Sequence, residues 1–93
     1  IGHGKRNITP GIAKQFGYVG ERGVLVTGVV AGSPADEAGI KQGDLIKEIN
    51  RNPVKDLGNY MAILSKVKGD SLLLFIRRAN SALYVVLNIP GKE

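Results

Sequence analysis

Residues 31–50 read AGSPADEAGIKQGDLIKEIN, and they leave the chain few ways to fold. Ser33 is a helix N-cap, and Pro34 takes the first helical position, where its missing N–H costs nothing. Asp36 follows three residues after Ser33, the spacing of a capping box, and Asp36 and Glu37 suit the positive end of the helix dipole. Gly39 ends this very short helix, whose small apolar face is Ala35, Ala38 and Ile40. Gly43-Asp44 then turns the chain into a strand over residues 45–50.

The flanking segments extend this alternation of strands and helices. Thr9-Pro10 starts a helix carrying Ile12, Ala13 and Phe16 at helical spacing, and Gly17 stops it. Residues 23–30, GVLVTGVV, are β-branched and apolar, which predicts a buried strand; Gly28 within it points to a bulge or a close backbone approach. Arg51-Asn52-Pro53 reads as a turn, and Asp56 caps a longer helix running to about Val67. Residues 71–78 and 82–89 are strands joined at Ala79-Asn80-Ser81 as a hairpin. The expected fold is mainly β with α (α+β): a partly open antiparallel barrel or sandwich of five to six strands, capped by two helices plus a short N-terminal helix.

Composition excludes several classes of function. The 93 residues make one domain, and 43% hydrophobic with 23% charged residues is ordinary globular composition. There is no cysteine, hence no disulfide, no thiolate catalysis and no cysteine-held metal. No apolar run approaches the roughly 20 residues that cross a bilayer, no signal peptide is visible, and no membrane insertion is expected. The chain begins at Ile1 rather than Met, as an excised domain would. The net charge of +5 comes from scattered lysines and arginines, and aromatic residues are only 5%, so the charge reads as a solvating surface and not as a nucleic-acid site.

Catalysis is not expected either. The only histidine is His3, and Ser33 is used as a cap. Asp36 and Glu37 are neighbours on a helix and point about 100° apart, a poor geometry for paired carboxylates. No metal-ligand cluster and no cofactor motif is present.

Read as a pattern, Gly32, Ser33, Pro34, Ala35, Ala38, Gly39, Ile40, Gly43, Asp44, Ile46, Ile49 and Asn50 resemble, at fixed spacing, the GSPA-x-x-AGL-x-x-GD-x-I-x-x-I-N stretch of PDZ domains in HtrA/DegP-type serine proteases. The Ile8-Thr9-Pro10 start of the first helix is similar to the extra N-terminal helix of the same proteins. The resemblance covers nearly the whole chain, so residues 1–93 are expected to form one PDZ domain of a larger protein. It implies peptide binding by strand addition beside the longer helix. An apolar-Gly-apolar loop would offer backbone N–H groups to a terminal carboxylate; the matching residues are Ile1, Gly2 and His3, with His3 standing where the family usually has an apolar residue. The edge strand would follow from Gly4, Lys5 and Arg6 to Ile8.

On the longer helix, Leu57, Met61 and Leu64 share one face, and Tyr60, Ile63 and Val67 lie to one side. The family's groove positions carry over to Leu57, Met61 and Leu64; the competing reading places all six in the core. Groove binding predicts peptides ending apolar-x-apolar, because Leu57 cannot hydrogen-bond a hydroxyl on the ligand. The basic balance would favour acidic residues upstream, with Lys5 and Arg6 the nearest candidates. The resemblance further implies a regulatory module that captures apolar C-termini or unfolded protein segments for a serine protease domain in the same parent chain. Such a parent would work in protein quality control in the bacterial periplasm or cell envelope. The alternative is a scaffolding or assembly module, or the PDZ domain of an intramembrane or C-terminal-processing protease.

Overall fold

The computed structural model describes residues 3–89. Six strands, β1 (His3–Asn7), β2 (Val24–Val29), β3 (Leu45–Ile49), β4 (Asn52–Pro53), β5 (Ser71–Arg78) and β6 (Ser81–Asn88), form one antiparallel sheet in the order β1-β2-β3-β5-β6, with the two-residue β4 paired to β3. Three helices accompany it: α1 (Pro10–Phe16), α2 (Pro34–Glu37) and α3 (Leu57–Ser65). This is the mainly β architecture with few helices that the sequence implies.

The caps form where the residues call for them. Thr9 accepts from the N–H of Ile12, and Gly17 closes α1 in the left-handed region at φ 78°. Ser33 accepts from the N–H of Asp36, whose carboxylate accepts from Gly32 N–H at 2.9 Å. Residues 51–53 are more than a turn. Asn50 and Arg51 both have positive φ and make the two-residue hairpin between β3 and β4. Asn50 Oδ1 then accepts from Leu73 N–H at 2.8 Å, tying that hairpin to β5. The helix α3 ends at Ser65, short of Val67, because the last turn tightens: the N–H groups of Lys66 and Val67 reach the carbonyls of Ile63 and Leu64, three residues back.

Two cores lie on opposite faces of the β1–β2 pair. The larger one gathers Val24, Val26, Ile46, Leu74 and Ile76 from the sheet with Ala35 of α2 and Tyr60 of α3. The smaller one holds Leu25 and Leu45 against Ala13 of α1 and Tyr18. The register of β1 against β2 assigns the faces of β1. Asn7 and Lys5 stand opposite Val24 and Val26, on the α3 side, and Arg6 stands opposite Leu25, on the α1 side. The register shifts between Gly4 and Lys5, which leaves Thr27 as the extra residue of β2, next to Gly28.

The 31–50 stretch is closed from behind by an ion pair between a buried carboxylate and a partly exposed guanidinium. Asp44 is buried; it accepts from Lys41 N–H and from Arg78 Nε and Nη2 at 2.8–2.9 Å. Arg78 Nη2 also donates to the carbonyl of Gly39 at 2.7 Å, so one guanidinium holds both the end of α2 and the turn into β3. Tyr18 braces the same end of the sheet from the α1 side, with its hydroxyl 2.7 Å from the carbonyl of Gly43 and 3.0 Å from that of Arg77.

Candidate functional site: the cleft between β1 and α3

β1 begins at His3 and ends at Asn7, one residue earlier at each end than the sequence suggests. Its only paired neighbour among the described strands is β2, so its other edge carries unpaired N–H and C=O groups. The helix α3 runs beside that edge. Three β1 side chains at alternate positions reach it, as the two-residue period of a strand requires.

His3 is buried, and its Nε2 lies 3.0 Å from the hydroxyl of Tyr60, with the rings edge to face at 6.1 Å. Tyr60 is 1% exposed, and this is the one hydrogen bond of its hydroxyl among the described residues. Nδ1 of the His3 ring is buried and has no hydrogen-bond partner among the described residues. Burial, reinforced by the Lys5 ammonium, lowers the His3 pKa to about 4, so the ring is neutral near pH 7. Burial also pushes the Tyr60 phenol up to about 12. Lys5 follows two residues on, with Nζ 5.9 Å from the centre of the Tyr60 ring. At the end of the strand, Asn7 Oδ1 accepts from the N–H of Leu57 at 2.7 Å.

That last bond belongs to a shared cap. Asp56 accepts from the N–H of Asn59, and Asn59 Oδ1 accepts from the N–H of Lys55. With Asn7 on Leu57, the first turn of α3 is satisfied partly from its own sequence and partly from β1.

The six apolar residues of α3 and its end divide three ways. Tyr60 is wholly in the core. Leu57, Ile63, Leu64 and Val67 are half-buried and pack on the edge of the larger core. Met61 is 54% exposed, an apolar side chain left in solvent. Gly4, Lys5 and Arg6 are all exposed on β1, with Lys5 toward α3 and Arg6 toward α1. Ile1 and Gly2, the first two residues expected of the carboxylate loop, lie outside the described residues. The His3–Tyr60 pair and the Asn7–Leu57 bond are not visible to periodicity. Their only sequence signal is a histidine where the family pattern has an apolar residue.

Comparison with known proteins fits an open edge strand beside an apolar helix. The family model described as PDZ domain matches residues 25–78, more than half of the chain. The chain belongs to the PDZ domain family. It is 39% identical over 83 residues, 88% of its length, to a probable periplasmic serine endoprotease DegP-like of Chlamydia trachomatis. It is also 39% identical over 67 residues, 72% of its length, to periplasmic serine endoprotease DegP of Salmonella typhimurium. It spans only 17% and 14% of those relatives. Among solved structures, the HtrA3 PDZ domain bound to a phage-derived ligand, FGRWV, superposes with a TM-score of 0.80 at 30% identity, covering 95% of this chain and 81% of that one. The HtrA-type protease AlgW with a decapeptide superposes at a TM-score of 0.81 and 23% identity, over 94% of this chain and 27% of that one, a likeness of fold. This PDZ domain is thus similar to those of HtrA/DegP-type proteases in sequence and in fold.

Proposed function

We propose that this PDZ domain binds the C-terminal segment of a protein or an unfolded chain by adding it as a strand to β1, in the cleft beside α3. The observation that carries the reading is the conjunction of an unpaired strand edge with the exposed Met61 and half-buried Leu57 and Leu64 on the facing helix. The edge supplies main-chain hydrogen bonds, and the helix supplies apolar contact for alternate side chains. Ile1, Gly2 and the backbone of His3 receive the terminal carboxylate, and Gly4, Lys5 and Arg6 line the added strand. Peptides ending apolar-x-apolar are the expected class, with micromolar affinity, since a short flexible ligand loses much of its freedom on binding. The peptide-bound HtrA3 and AlgW structures support this reading by resemblance.

The domain acts without catalysis of its own, as a regulatory module of a serine endoprotease. It delivers captured chains to a protease domain of the parent protein or relays their binding to it. The periplasmic names of the relatives support a parent in the periplasm or cell envelope. Titrating labelled protein with a peptide ending Val-Ala-Val tests the site. The largest amide shifts are expected at residues 2–8 and 57–64. Saturable binding with shifts confined elsewhere would refute it.

A further inference from the structure

The sheet has two edges, and they are built differently. β1 carries Lys5, Arg6 and a register shift between Gly4 and Lys5, charges and an irregularity that limit indiscriminate pairing. β6, at the other end of the strand order, pairs only with β5 among the described strands and has none of these devices. Its eight residues, SALYVVLN, hold no charge and no proline, and they pair with β5 without a shift from Ser71↔Asn88 to Arg78↔Ser81. The N–H of Ile89 donates to the carbonyl of Asp70 at 2.8 Å, so the odd-numbered residues of β6 turn their main-chain groups to β5. The main-chain groups of Ala82, Tyr84, Val86 and Asn88 therefore point to the free edge. The side chains of these residues face away from the core, and Tyr84 and Val86 are 54% and 57% exposed. On β5 the same face continues with Phe75, whose ring lies 4.8 Å from that of Tyr84, and with Leu73 opposite Val86.

We propose that β6 pairs antiparallel with β6 of a second copy of this chain, about a twofold axis through Val85. In that register Tyr84 exchanges main-chain hydrogen bonds with Val86 of the second copy, and Ala82 with Asn88 of the second copy, about eight bonds in all. Any other twofold register leaves at least one of the four outward residues without a partner in the strand. The exposed face closes in the same register. The row Phe75–Tyr84 of one copy runs on into Val86 and Leu73 of the second copy, so a larger residue meets a smaller one at the seam. The outer row Arg77–Ala82 runs on into Asn88 and Ser71 of the second copy, which gives an apolar centre inside a polar rim. A twofold contact must be complementary to itself, and this strand is, which selects a second copy as the partner. Each chain carries a net charge of +5, but no charged side chain lies on β6 to set like against like. The contact is short, roughly 1,000 Å² in total, at the low end for specific interfaces, and the dimer is correspondingly weak. It leaves the β1 edge of both copies free and does not depend on peptide binding there.

Sedimentation equilibrium of the full chain without peptide tests the dimer, at about 0.15 M salt to screen the net charge. From about 10 μM to about 1 mM the mass is expected to climb from 9.9 kDa toward twice that value, with half-association near about 100 μM. Val86→Lys, at an exposed position, sets a lysine against Tyr84 of the second copy on each side of the axis, and its mass is expected to stay at 9.9 kDa throughout. Tyr84→Lys on the same row is expected to do the same, and urea unfolding checks that both variants are folded. In the wild type, the amide shifts that change on dilution are expected at residues 82–88. A mass of 9.9 kDa at every concentration overturns the dimer. So does association that survives both substitutions, or dilution shifts confined to residues 3–8.

Discussion

The 31–50 stretch and the β1–α3 cleft are built on opposite terms. In the first, the polar groups that fold it are used up. Ser33 and Asp36 cap α2, Asp44 is surrounded by Lys41 N–H and the Arg78 guanidinium, and Arg78 also holds Gly39. In the second, polar and apolar groups are left over. Among the described residues His3 Nδ1 has no partner and the outer edge of β1 is unpaired, and Met61 stands in solvent. The conspicuous motif is architecture, and the inconspicuous cleft is where binding is proposed. A segment with one serine and four acids thus marks the family through the fold it builds.

The sharpest way to break this comparison is to damage the first region and watch the second. Asp44→Ala removes the carboxylate that orders the Gly43-Asp44 turn and leaves the Arg78 guanidinium without its counter-charge. A loss of about 2–4 kcal/mol in urea unfolding is expected, at the lower end of buried pairs because Arg78 is partly exposed. At temperatures where the variant stays folded, peptide affinity should be unchanged. A selective loss of binding would place the motif in the site.

A smaller effect comes from the cleft itself. The His3 pKa of about 4 in the folded chain lies below the ordinary value of 6.5, because burial disfavours the charged ring. Between these values the unfolded chain binds the proton more readily. The contribution of neutral His3 is therefore complete above pH 6.5 and is lost as pH falls toward 4. His3→Phe keeps an aromatic ring and removes the titration. Between pH 7 and pH 5 the wild type should lose about 1 kcal/mol more stability than His3→Phe, after allowance for solvent screening. Parallel pH profiles would mean that the ring is not held neutral by burial.

Much of the fold was legible because local chemistry dictated it. Thr9, Ser33 and Asp56 each cap the helix they precede, Gly17 closes α1, and residues 71–78 form β5 as their apolar run suggests. What escaped was long-range. The pairing of Asp44 with Arg78 joins residues 34 apart, and the Asn7–Leu57 and His3–Tyr60 contacts join residues 50 and 57 apart. No periodicity reports such meetings. Asn50 read as the end of a strand and Arg51 as the start of a turn, because an arginine at φ 69° is not a residue that announces a left-handed hairpin. On α3, helical spacing put Leu57, Met61 and Leu64 on one face. It could not tell that Met61 alone would remain largely exposed while Leu57 and Leu64 lean on the core.

Met61 therefore offers the most direct test that binding belongs to the cleft. Met61→Lys places a charge in the proposed apolar wall at a position that is already 54% exposed, so its effect on folding should stay within about 0.5 kcal/mol. The measurement is the affinity of this variant for a peptide ending Val-Ala-Val, made beside its unfolding curve. About tenfold weaker binding is expected, the equivalent of about 1.4 kcal/mol, at unchanged stability. Undiminished affinity in a stably folded Met61→Lys domain would contradict binding in the cleft.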